Sequence, residues 1–175
     1  MRTHVAILIS AVVLTLITFS GCKKKAEEKK VLTNEDVRGK VEAAVLNFAK
    51  TDEALGEYDS IKFVGYTPYF KSTYCDLMCQ LLSIQSDELD PHVQSDSTMD
   101  LTQIDEKMAR INGCIEYFKK QSYNTLNTKN DPVVVYEAKC YSYTDGYIEE
   151  YVYFVTKDWQ VIELDPYDVH FLDKY

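Results

Sequence analysis

Five cysteines and three histidines carry most of the chemical reach of this 175-residue chain. Cys75 and Cys79 stand four apart, which places both thiols on one face of a helix. A bond between them would strain that helix, so cross-element disulfides with Cys114 or Cys140 are the expected use in an exported protein. Buried free thiols are the alternative, and metal or redox work is a third. Redox catalysis needs a thiol of lowered pKa. The chain has no C-x-x-C, and Asp76 beside Cys75 would raise a thiol pKa. His92 lies among Asp87, Glu88, Asp90 and Asp96, and His170 lies near Asp165, Asp168 and Asp173. Carboxylates suit Ca²⁺ and imidazole suits Zn²⁺. Neither cluster has a recognised ligand spacing, and solvated acidic loops explain both, so no metal and no cofactor is assigned. H-E-x-x-H, G-x-S-x-G, G-x-x-x-x-G-K-[ST] and G-x-G-x-x-G are all absent from the sequence. No catalytic residue is assigned.

The elements that must position these groups follow from hydrophobic periodicity. Thr33 and Asp36 have capping-box spacing. Val37, Val41, Ala44, Val45 and Phe48 then share one face of a helix expected to run to about Leu55. "SIKFVGY", residues 60–66, alternates as a short strand, with Pro68 as its stop. Tyr74, Leu77, Met78, Leu81 and Leu82 mark a second helix ending near Leu89. An acidic loop, "SDELDPHVQSDSTMD", leads to Asp100, the expected N-cap of a third helix, with Gln103 as its reciprocal partner. Leu101, Ile104, Met108, Ile111, Ile115 and Phe118 form the apolar face of that helix. Glu106–Arg110 and Glu116–Lys120 are i,i+4 pairs on its wet side.

The last third reads as a β-meander. Asp145-Gly146 is a two-residue hairpin turn and Lys157-Asp158 a weaker second one. Two-residue loops at both set the register. One face then carries Cys140–Tyr151–Leu164 and Ala138–Tyr153–Ile162. There Cys140 comes within reach of a helix cysteine. The other face carries Lys139–Val152–Glu163, Glu137–Phe154–Val161 and Val135–Thr156–Trp159. That second face is too apolar to be fully exposed, so a helix, a dimer partner or a ligand is expected on it. Tyr141, Tyr143, Tyr147 and Trp159 lie on or near the tips of the meander. They form a candidate surface for a protein or glycan partner; cross-strand packing is the alternative use. The expected class is α+β: about three helices on a curved antiparallel sheet of one short strand plus a C-terminal three-stranded meander, with residues 33–175 as one domain.

The N-terminal end supplies a different kind of chemistry. Val5 to Phe19 is an apolar run, too short for the roughly 20 residues that span a bilayer. Ser20, Gly21 and Cys22 follow, and "TFSGC" resembles the lipobox of bacterial lipoproteins. That resemblance implies removal of residues 1–21 and acylation of Cys22. Residues 22–32, including "KKKAEEKK", become a solvated tether. Lys23 in place of Asp is compatible with transfer to an outer membrane, and "KAEE" is similar to the surface-export signals of some gut-commensal lipoproteins. The expected location is the cell envelope, most consistent with an outer membrane, with the periplasmic or surface face left open.

From Val31 onward the chain carries 13 basic and 26 acidic residues, a net charge of −13. Such a domain repels nucleic acid and anionic headgroups, so no nucleic-acid partner is expected. Element order, the "KFVGY" strand and the "YIEEYVYFVTKDWQVI" texture resemble cystatin-like and NTF2-like folds and small bacterial lipoproteins of unknown function. The function expected is an anchored, non-catalytic binding or accessory module, with homodimerisation open. The alternatives are a protein with an NTF2-like pocket for a small ligand, and a thiol- or metal-dependent envelope enzyme.

Overall fold

Thr33 and Asp36 close the first element by mutual capping. The Thr33 hydroxyl accepts from the Asp36 N–H at 3.1 Å, and the Asp36 carboxylate accepts from the Thr33 N–H at 3.0 Å. The Thr33 N–H and the Thr33 hydroxyl both donate to the Asp36 carboxylate and hold it below its usual pKa. Helix α1 (Asn34–Ala49) follows. It stops short of the expected Leu55, because the chain turns at Thr51 and forms a separate 3₁₀ turn at Glu53–Leu55. Gly56, at φ +62°, completes the break. The computed structural model describes residues 32–89 and 101–175, and Thr33–Tyr175 forms one compact unit. Cys22, the apolar run, the charged tether, His92 and the Asp100 cap lie outside the described residues.

Strand β1 (Ser60–Phe70) passes straight through Pro68 rather than ending there. The reason is position. β1 is an edge strand, where a missing N–H on the solvent side leaves the ladder intact. It runs directly into helix α2 (Lys71–Glu88), whose N-cap residue Phe70 has no side-chain acceptor. The cap comes from far along the chain. Asp131, just after helix α3 (Leu101–Thr128), accepts from both the Ser72 N–H and the Ser72 hydroxyl. Cys79 lies against Ile115, and Ser86 near the end of α2 meets Met108 near the start of α3, so the two helices pack antiparallel.

The sheet is antiparallel and open, in the order β1-β2-β3-β4. Strands β2 (Val133–Thr144) and β3 (Tyr147–Thr156) pair as expected, with Cys140 opposite Tyr151 and Ala138 opposite Tyr153. Asp145 and Gly146 both take positive φ in the turn between them. The second hairpin departs from expectation by one residue. Thr156 N–H bonds the Gln160 carbonyl at 2.9 Å across a three-residue loop, and Trp159 adopts φ +64°. Strand β4 is only Val161–Ile162, with Phe154 opposite Ile162 and Val155 opposite Val161. The slip reverses the faces of β4, because side chains alternate with a period of two. Ile162 therefore joins Phe154, and Val161 joins Tyr153 and Val155.

Helices cover both faces of the sheet. On one, Val41, Val45 and Ala49 of α1 pack on Phe63, Ala138, Cys140, Tyr153 and Val155. On the other, Tyr74, Met78 and Leu82 of α2 and Ile111 and Phe118 of α3 pack on Val134 and Val135. A C-terminal 3₁₀ helix (Val169–Lys174) closes this second core, with Phe171 stacked 5.3 Å from Tyr74. This is an α+β fold of helices on a four-stranded antiparallel sheet. The helix expected as one occupant of the second face is present there. Phe118 is fully buried, and Phe118→Ala should cost about 3–5 kcal/mol in urea-unfolding measurements. A loss below about 1 kcal/mol would show that α3 is not part of a packed core.

Candidate functional site

The thiols divide between the two cores. Cys140 faces α1, whereas Cys75 and Cys114 are buried and Cys79 half-buried in the α2–α3 layer across the sheet. The helix cysteines therefore do not reach Cys140, although one was expected within its reach. The sheet itself stands between them. All four are free thiols. Burial pushes the Cys140 thiol up to about 11 and the Cys75 thiol up to about 12, so both are neutral at pH 7. Cys79 is also raised, chiefly by burial. These are the surroundings of inert core thiols, opposite to those that activate a nucleophile. His170 is exposed and bonds the Asp173 carboxylate at 3.0 Å. Among the described residues no cluster of three or more His, Cys, Asp or Glu side chains is placed to hold a metal ion.

The four aromatic residues proposed as one surface do not share a face. Trp159 stacks on Tyr136 at 5.9 Å and 13°, with Lys40 4.8 Å above its ring, so it packs beneath α1. Tyr147 is 76% exposed at the hairpin end of the same side. Tyr141 and Tyr143 lie on the opposite side and are half-buried. The alternation of strand side chains, together with the left-handed Trp159 loop, separates the set.

What the structure does assemble is an open strand edge. Among the described residues, strand β4 covers only Phe154 and Val155 of β3, and Tyr147–Tyr153 have no ladder partner on that side. Backbone direction alternates along an antiparallel strand. Thr144 and Tyr147 close a two-residue turn, and Thr156 N–H points toward β4. Ile148, Glu150 and Val152 share the parity of Thr156, so their N–H and C=O groups point outward. Their side chains are exposed as well, Ile148 at 62% and Val152 at 44%. Where β4 ends, a cleft of about 480 Å³ opens beside this edge. Phe48, Val152, Phe154, Val161, Ile162 and Leu164 line its apolar part, and Asp52 and Glu163 its acidic part. The Tyr153 hydroxyl donates to Asp52 at 3.0 Å within it.

Sequence reasoning missed this edge by extending β4 alongside β3 as far as Leu164 opposite Tyr151. The available signal was "EE" at 149–150 in the middle of an otherwise apolar strand. Charge there is a common device for an exposed edge. Among the described residues no helix is long and apolar enough to cross a membrane. No protein-family model matches the chain, and neither curated proteins nor solved structures give a significant match.

The thiol environments yield a joint prediction. Folding favours the protonated thiols of Cys75 and Cys140, whose pKa values rise from 9.0 to about 12 and about 11. Their contribution to stability is complete below pH 9 and is lost as pH rises through 11 to 12. Iodoacetamide at pH 8 followed by intact mass should label half-buried Cys79 first, and Cys75, Cys114 and Cys140 only in denaturant. Rapid labelling of Cys75 or Cys140 in the native protein would contradict these environments.

Proposed function

We propose that the protein is a lipid-anchored cell-envelope module that binds a partner and performs no chemistry of its own. The observation that carries the binding half is the seven-residue stretch of β3 that has no ladder partner among the described residues, beside an apolar cleft. An unpaired strand edge is a ready acceptor for another chain. The neutral, buried thiols support the non-catalytic half.

The anchoring half rests on the apolar run from Val5 to Phe19 and on "SGC" at residues 20–22. Two or more acyl chains on Cys22 would hold the protein firmly to a bilayer. The charged tether would then set the −13 domain away from anionic headgroups. An outer-membrane location is the reading favoured by Lys23.

Two measurements test the halves separately. Cys22→Ala should move the protein from the membrane to the soluble fraction and remove an acyl mass from the intact chain. A wild-type chain without acyl mass would overturn the anchor. A photo-crosslinking residue at Val152 should give a discrete adduct in intact cells, while one at exposed Glu106 on α3 should not. Identical behaviour at the two positions would contradict a binding edge on β3.

A further inference from the structure

Resting on the binding-module reading, we infer that the β3 edge accepts an extended basic peptide strand as an additional strand of the sheet. Three outward-facing backbone positions, Ile148, Glu150 and Val152, supply alternating donors and acceptors over five residues. The two edges of the sheet differ in kind. The β1 edge is blunted by Pro68, by a register irregularity between Phe63 and Gly65, and by the Arg38 guanidinium, which donates to the Val64 carbonyl at 3.3 Å. The β3 edge carries no proline and pairs with β2 without a bulge from Tyr147 to Thr156. Among the described residues, its protection comes from two carboxylates, Glu149 and Glu150.

Charge selects the occupant. Glu149, Glu150, Asp52 and Glu163 lie along the edge or in the cleft, within a domain of net charge −13. Lys139, 3.5 Å from Glu150, is the basic side chain that pairs with this group on the neighbouring strand. A second copy of this chain pairing antiparallel through the same edge, centred on Glu150, would set Glu150 opposite Glu150. Like charges directly opposite destabilise a strand pair. A basic strand gains where a second copy loses. Side chains of directly opposed residues lie on the same face. The pattern that fits is therefore apolar opposite Ile148, basic opposite Glu150 and apolar opposite Val152. A strand continuing past Val152 meets the cleft where β4 diverges, and an apolar side chain fits that lining.

The probe is the peptide Lys-Val-Thr-Lys-Thr-Val-Lys, fluorescently labelled. Its pattern reads the same in either strand direction. It is titrated against the full-length protein in detergent and followed by anisotropy. Saturable binding is expected, weakened about tenfold or more by Glu150→Lys and by added salt. Ile148→Pro, which removes one outward N–H and leaves the β2 ladder intact, should weaken it in the same way. N-methylation of one set of alternate peptide amides should abolish binding, and of the other set should not, because only one set faces β3. Equal effects of the two sets, or no effect of Glu150→Lys, would overturn the inference. No peptide binding, with the Val152 crosslink persisting, would remove the basic strand and leave the binding module. Loss of both would remove both.

Discussion

The fold depends on strand β2 serving two cores at once. Ala138 and Cys140 are completely buried against α1, while Val134 and Val135 are completely buried among α2, α3 and the C-terminal 3₁₀ helix. A strand in that position cannot slide by one residue without exchanging both sets of side chains. The two-residue turn at Asp145-Gly146 fixes the same register from the other end. Asp131, capping α2 from the approach to β2, ties the helical layer to the strand it covers. Local turn chemistry, remote capping and burial on both faces all specify one arrangement, as a sequence with a single native state requires.

That arrangement also determines what the reactive side chains can do. The sheet divides the cysteines, and their desolvation keeps Cys75 and Cys140 protonated. Trp159, the only tryptophan, supports a left-handed loop conformation that favours glycine by stacking on Tyr136. Residues that look reactive or adhesive in the sequence are largely occupied with packing. The slip in the second hairpin reverses the faces of β4, and β4 itself ends at Ile162, so among the described residues it covers only the end of β3.

Much of this was legible in the sequence, for identifiable reasons. The Thr33 cap, the 3-4 periodicity of the third helix and the Asp-Gly hairpin are local signals. Each of these elements stands where its spacing placed it, α1 ending earlier because the turn at Thr51 competes with helix continuation. Pro68 misled because a proline is compatible with a strand that lies at an edge, and edge position is a tertiary property. The register of the second hairpin was hidden because a tryptophan at positive φ has no composition signature. The edge as a candidate site was hidden by extending the third strand of the meander to Leu164, and the paired glutamates at 149–150 were its local signal.

An acidic, two-faced sheet with one blunted and one unblunted edge has a definite backbone signature. Amide hydrogen exchange across β3, resolved residue by residue by NMR in the free protein, reads it directly. Glu149, Tyr151 and Tyr153, whose N–H groups face β2, should be strongly protected, while Ile148, Glu150 and Val152 exchange far faster. Uniform protection along Tyr147–Tyr153 would mean that the edge is already paired, and the open-edge reading would fail.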